Sequence, residues 1–201
     1  AEIYSVKVMG ASGGKLSDVI QGIQWAIDNN MDVITMSLGI PVDSPSLRRM
    51  VDEAYLHGII LVAGSGKNNE IYYPAKYSSV IAVGSIDENN QLTSENGAGE
   101  ELELVAPGKD ILSTNVEGYG SFDGTSMSAP HVAGIIALLK ENNPSLSVNE
   151  LRAKLQRDAV DLGENGKDNN YGYGLVNIDL EQENLSATIQ IVFPEETNET
   201  K

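Results

Sequence analysis

Residues Ile3 to Met9 alternate and are rich in β-branched side chains. A loop from Gly10 to Gly14 follows, and then Leu16, Val19, Ile20, Ile23, Ala26 and Ile27 recur at helical spacing. The pattern predicts a strand, a loop and an amphipathic helix. Asp32 to Leu38 reads as a buried strand, and Ser44 with Pro45 supplies an N-cap and a first-turn proline for a helix that ends before Gly58. Ile59 to Ala63 and Val80 to Ser85 read as two further strands. Strands alternating with helices in this way imply right-handed crossovers and a parallel sheet covered on both faces, so the fold class is α/β. In such sheets ligands sit beyond the carboxyl ends of the strands. That directs attention to the loops Ser37 to Ile40 and Ala63 to Lys67, whose small residues let a backbone approach a ligand closely.

Beyond Glu103 to Ala106 the pattern shortens around Pro107-Gly108, and Asp110 to Thr114 with Tyr119 to Phe122 predicts a hairpin. A long helix starts near Thr125. Ser147 with Glu150 forms a capping box that opens another helix, through about Leu155. Gly172-Tyr173-Gly174 breaks the chain before a last ordered segment, Leu175 to Leu180. From about Glu181 the residues turn polar and acidic, which reads as a tail or linker with Thr188 to Phe193 as an isolated strand. Asn184 and Asn198 head glycosylation triplets of a kind that arises often by chance.

The 201 residues suffice for one compact domain, and 41% hydrophobic residues make it globular. The absence of cysteine excludes disulfides and thiolate metal sites. A formal charge of -16 argues against a nucleic-acid partner, because phosphate binding needs clustered Lys and Arg. No apolar run has the length of a membrane span, so no membrane partner is expected. Ala1 opens into A-E-I-Y-S-V-K-V with neither an initiator methionine nor a signal-peptide layout, and the expectation is that something upstream has been removed.

The segment Gly124-Thr125-Ser126-Met127-Ser128-Ala129-Pro130-His131-Val132-Ala133-Gly134 places a serine at the start of an apolar helix. Two readings are open from position alone. Thr125 or Ser126 caps the helix, or Ser126 sits where free N–H groups and the helix dipole stabilise negative charge on a bound carbonyl. The whole string resembles the nucleophile motif of the subtilisin-like serine proteases (subtilases). The resemblance runs from Ala1 to about Leu180 through I-Y-S-V-K-V, N-N-M-D-V-I-T-M-S-L-G, Y-Y-P-A-K-Y-S-S-V-I-A-V-G, V-A-P-G and Y-G-Y-G-L-V-N.

The resemblance implies a three-layer subtilisin-like fold lacking its N-terminal part, and a serine endopeptidase with Ser126 as nucleophile. It implies a polypeptide substrate bound as an added strand between Gly13 to Leu16, including Gly14, and Ser37, Leu38 and Gly39. Ala63, Gly64 and Gly66 would line the primary specificity pocket. Family members carry their aspartate and histidine in D-[ST]-G and H-G-T-H motifs that do not occur here, so the chain by itself is expected to be inactive and to need the missing N-terminal segment of its domain. His57 falls in a last helical turn; His131, five residues after Ser126, points roughly 140° away around the helix and cannot reach it.

At the family's oxyanion asparagine, in A-[AG]-[SG]-G-N, this chain has Lys67, with Asn68 and Asn69 next. Lys67 is an ammonium donor, a base for Ser126, or an exposed lysine beside a weakened site. Thr93-Ser94-Glu95-Asn96 stands where the family usually has an aromatic followed by serine, so the resemblance implies that Glu95 puts a charge near the leaving-group side of the cleft. These departures keep open a catalytically dead subtilase that binds peptides, or a truncated remnant. The family's weak cation site would match the carbonyls of Ala75, Tyr77 and Val80, with Glu103 nearby as a carboxylate. Such a calcium or monovalent ion would be structural, with no cofactor for the chemistry. Secretion is the commoner case for the family and favours an extracellular location, although intracellular relatives are similarly acidic.

Overall fold

The computed structural model describes residues 1–10 and 12–178, together with the backbone of residues 190–191. Its centre is a parallel sheet of four strands, β2 (Val33–Met36), β3 (Ile60–Gly64), β6 (Val80–Ile86) and β7 (Leu102–Pro107), in the order β2-β3-β6-β7. The sheet is parallel because α2 (Pro45–Leu56), between β2 and β3, and the longer connections after β3 and β6 return the chain to the same end each time, while α1 (Leu16–Asp28) leads into β2.

Side chains alternate across the sheet, and each face has its own core. Leu61, Ala63, Ala82 and Val105 face Val19 and Ile23 of α1 and Leu47, Val51 and Ala54 of α2. Ile60, Val62, Ile81, Val83, Leu104 and Ala106 face the opposite layer, formed by α3 (Thr125–Asn142) and α4 (Val148–Asp158). The chain is therefore an α/β/α sandwich. Strands buried on both faces read as continuous apolar runs, as I-L-V-A and V-I-A-V do here.

The helix boundaries follow their capping chemistry. Ser44 accepts a hydrogen bond from the Leu47 N–H at 3.3 Å, with Pro45 in the first turn. The Ser147–Glu150 capping box is formed in both directions. Helix α4 runs to Asp158 rather than Leu155, because the apolar stripe ends at Leu155 while the polar last turn keeps its backbone bonds until Ala159 turns extended. Ser44→Ala should destabilise the fold by about 1 kcal/mol, the usual cost of losing an N-cap acceptor, measurable by urea unfolding.

Six small strands, paired two by two, complete the described structure. The hairpin predicted from Asp110 to Thr114 with Tyr119 to Phe122 is β8 (Ile111–Asn115) with β9 (Gly118–Phe122), and β4 (Gly66–Lys67) pairs with β5 (Glu70–Ile71). The strand expected over Ile3 to Met9 shrinks to β1 (Glu2–Ile3), which pairs in parallel with β10 (Gln190–Ile191). Alternation gives a segment the capacity to pair, but a ladder needs a neighbour. Among the described residues no strand pairs with 4–9; the Tyr4 ring lies 6.1 Å from that of Trp25 in α1 and Val8 packs on the core, while Ile3, Val6 and Met9 stay exposed. Leu175 bridges Val105 and Val160, and Val176 is buried. The tail from Glu181, the triplets at Asn184 and Asn198, and the rest of the segment Thr188 to Phe193 lie outside the described residues.

Candidate active site

The first turn of α3 faces the carboxyl ends of β2 and β3. Gly124, at the N-cap, has φ +116°, a left-handed conformation that glycine adopts without strain, and it delivers Ser126 to the second helical position. There the backbone N–H groups have no intrahelical acceptor and point out of the helix end. Ser126 is half-buried, and among the described residues no side chain hydrogen-bonds its hydroxyl.

Pro130 stands four residues after Ser126. Lacking an N–H, it leaves the Ser126 carbonyl without its helical donor. The hydroxyl of Ser37, just past β2, donates to that carbonyl at 2.7 Å. The sheet edge and the nucleophile turn are thus tied by one hydrogen bond that the proline makes room for. Thr125, beside Ser126, reaches the other wall: its hydroxyl donates to the Gly66 carbonyl at 3.2 Å. At Gly64 an added Cβ would lie 2.9 Å from the Thr125 carbonyl oxygen, so only glycine permits this approach of β3 to the helix.

The loop after β3 is held from behind. Tyr72 N–H donates to the Ser65 carbonyl at 2.8 Å, and the Ser65 hydroxyl accepts from Gly97 N–H at 3.1 Å. Buried Asn96 accepts from Ser85 N–H at 3.0 Å. Asn68 and Asn69 turn the β4–β5 hairpin with φ of 57° and 60°. A two-residue turn of this type needs positive φ at both positions, which asparagine tolerates. Lys67 therefore belongs to β4, and the two asparagines are spent on the turn.

Ser37, Leu38, Gly39, Gly64, Gly66, Lys67 and Ser126 come together around one cleft of about 240 Å³, joined by Tyr72, Glu95, Asp123, Gly124 and Thr125. Three candidates fall elsewhere. Ala63 is fully buried in β3, because the strand's alternation turns it into the core below the cleft. Gly13 and Gly14 are exposed on a turn closed by Gly10 and are not on the cleft wall, since the segment before them has no ladder to fix it.

Lys67 is exposed at the cleft rim, as is Glu95. Asp123, which precedes Gly124, is anchored by Lys109 and by the Asp110 N–H at 2.8 Å. The hydrogen bond from Lys109, then that from the Asp110 backbone, holds the Asp123 carboxyl below the ordinary carboxylate range. A depressed folded-state value contributes stability above the unfolded value of about 3.9, and that contribution is lost as pH falls through the depressed value. This anchor should therefore persist through neutral pH down to about pH 4, which a pH titration of the Asp123 carboxyl by NMR would check.

Neither histidine serves Ser126. The ring Nδ1 of His131 lies 2.8 Å from the Met127 carbonyl on the outer side of α3, and that of His57 lies 2.9 Å from the Glu53 carbonyl at the end of α2.

The carboxylate proposed for a weak cation site is already engaged. Arg152 Nε donates to Glu103 Oε1 at 2.8 Å and to Oε2 at 3.0 Å, Arg152 Nη1 donates to the Ser78 carbonyl at 2.7 Å, and Gln156 donates to Oε1 at 2.8 Å. The same guanidinium reaches the Val80 carbonyl at 3.5 Å. Arg152 thus already occupies Glu103 together with the Ser78 and Val80 carbonyls, and Glu103 is not free to ligate a metal. Among the described residues no group of three acidic or histidine side chains is placed to hold a metal.

A sequence model described as "Subtilase family" matches residues 1–174. The chain is 45% identical over 185 residues to subtilisin DY of Bacillus licheniformis, covering 88% of this chain and 66% of that protein. It is likewise 45% identical over 186 residues to subtilisin E of Bacillus subtilis (strain 168), covering 89% of this chain and 48% of that one. The chain thus spans about half to two thirds of the length of these relatives. Among solved structures, sphericase superposes with a TM-score of 0.81 at 30% identity, over 86% of this chain and 67% of that one.

Proposed function

The chain belongs to the subtilase family, and from that membership we propose that it carries the nucleophile and cleft of a serine endopeptidase acting through an acyl-enzyme at Ser126. The observation that carries this reading is the delivery of the Ser126 hydroxyl, at an open helix N-terminus, into the cleft between Ser37–Gly39 and Gly64–Lys67.

In the proposed reaction a peptide lies between those two segments. The Ser126 Oγ attacks its carbonyl carbon and the hydroxyl proton passes to a histidine. The carbonyl electrons move onto oxygen, and the N–H groups at the start of α3 stabilise that oxyanion. The tetrahedral adduct collapses, the C–N bond breaks and the amine leaves with the proton, after which water releases the acid by the same steps in reverse. Neither His57 nor His131 can take the proton, so the histidine and its orienting aspartate belong to a part of the domain outside these 201 residues. The exposed Ile3, Val6, Met9 and Leu16 supply apolar surface for that part to cover, and β2 ends the four-stranded sheet among the described residues.

The test is hydrolysis of an unstructured protein by the complete gene product and by residues 1–201 alone. Turnover by the first and none by the second is expected; turnover by the isolated chain would overturn the assignment of the proton acceptor. A location outside the cell agrees with the name of one relative, the minor extracellular protease Epr of Bacillus subtilis, 44% identical. No helix among the described residues is long and apolar enough to cross a membrane.

Lys67 and Glu95 support a second reading, in which the cleft binds peptides without cutting them. In the enzyme reading, an exposed Lys67 is a poorly placed oxyanion donor. Lys67→Asn should then raise kcat by about 10-fold or more, given that removing the equivalent asparagine from subtilisin was measured to cost about 10² to 10³. An unchanged kcat would mean that the ammonium already fills the role.

A further inference from the structure

Tyr72 is the aromatic side chain of the cleft lining, and the nucleophile motif does not explain its place. It follows the β4–β5 hairpin and is fastened to both walls. Its N–H donates to the Ser65 carbonyl at 2.8 Å, while its neighbour Tyr73 exchanges two backbone bonds with Ile40, at 2.8 and 2.9 Å.

The ring stands in the gap between the walls. A Cβ added to Gly39 would lie 3.0 Å from Tyr72 Cβ and 3.6 Å from Cδ2, and one added to Gly66 would lie 3.0 Å from Tyr72 N and 3.2 Å from Cδ1. One ring edge therefore faces Gly39 and the other faces Gly66, and a methyl group on either glycine would press on Tyr72, at Gly66 together with the Glu70 carbonyl at 2.5 Å. A substrate side chain entering between Ser37–Gly39 and Gly64–Gly66 meets this ring.

We propose that Tyr72 is a specificity-determining residue that makes the primary pocket shallow, restricting cleavage to bonds whose acyl-side residue is small: glycine, alanine or serine. The inference rests on the protease reading of the same cleft. A packed core-like site does not yield freely to added volume, because a ring fixed on both sides must leave its rotamer or displace backbone. Tyr72 moves neither way easily, since its own N–H is bonded to one wall and its neighbour's backbone to the other.

The test compares kcat/KM of the complete gene product on two peptides that differ only in alanine or phenylalanine at the acyl-side position, alongside Tyr72→Gly and Tyr72→Leu. The wild type should prefer alanine by about 10- to 100-fold, the range that pocket volume commonly supplies. Tyr72→Gly should raise kcat/KM for the phenylalanine peptide by about 10-fold or more, with Tyr72→Leu in between. The wild-type preference is read independently of whether a variant folds. Cleavage after phenylalanine as readily as after alanine would overturn the role of Tyr72 while leaving the protease intact. No cleavage of either peptide, nor of an unstructured protein, would overturn the protease reading and this inference with it.

Discussion

Ser126→Ala should abolish turnover by the complete gene product, lowering kcat by about 10⁶, the size of loss measured when the nucleophile is removed from subtilisin. The fold should not change, because the hydroxyl holds nothing in place. Ser37 bonds to the Ser126 backbone carbonyl and Thr125 clamps the Gly66 loop, and neither contact uses the Ser126 Oγ. Equal melting temperatures with a collapse in kcat would locate the effect in the chemistry. A residual rate within about 100-fold of wild type would mean that another group attacks the substrate, since such an effect is the size of a lost donor rather than a lost nucleophile.

Arg152→Ala should produce the largest loss of stability. Its partner Glu103 keeps only 4% of its side-chain surface exposed, and Arg152 itself 19%. Burial pushes the guanidinium down, but the hydrogen bonds and charge of Glu103 outweigh it, and the net direction for Arg152 is upward. Removing the arginine strands a buried carboxylate and leaves the Ser78 carbonyl without its donor, at a cost of about 3–5 kcal/mol. For a protein of this size that is a fall of about 6–20 °C in Tm. The paired replacement Arg152→Met with Glu103→Leu removes both charges and should recover much of the loss, as apolar replacement of buried ion pairs commonly does. If the double variant is as unstable as the single one, the cost lies in packing and in the carbonyl contacts instead of the charge.

The sheet and its helices were legible because their signals are local. Ser44-Pro45, the box Ser147 to Glu150, and the apolar runs of β3 and β6 each state their own element. The segment Ile3 to Met9 was not, because whether an alternating segment becomes a strand depends on a neighbour elsewhere in the chain. Within the site, Ser126 was marked by its motif, and Ser37, Gly64 and Gly66 by the small-residue loops at the ends of strands. Ala63 is kept from the cleft by one residue's worth of alternation, a distinction that a loop motif does not carry. Asn68 and Asn69 could have been read as a positive-φ turn, which would have fixed Lys67 in its strand at once. Pro130 carried a signal as well, since it frees the carbonyl that Ser37 takes up.

Tyr72 and the Arg152–Glu103 pair had no such signal. One is placed by pairing of its neighbour with Ile40, across a sequence separation that no periodicity records. The other joins residues 49 apart.

The most direct measurement is to treat the folded complete gene product with a fluorophosphonate and locate the adduct by mass spectrometry. An adduct on Ser126 that is absent from Ser126→Ala is the result this account predicts. Folded protein that contains a histidine and an aspartate partner yet remains unlabelled, or is labelled elsewhere, would contradict it and leave the cleft as a peptide-binding surface.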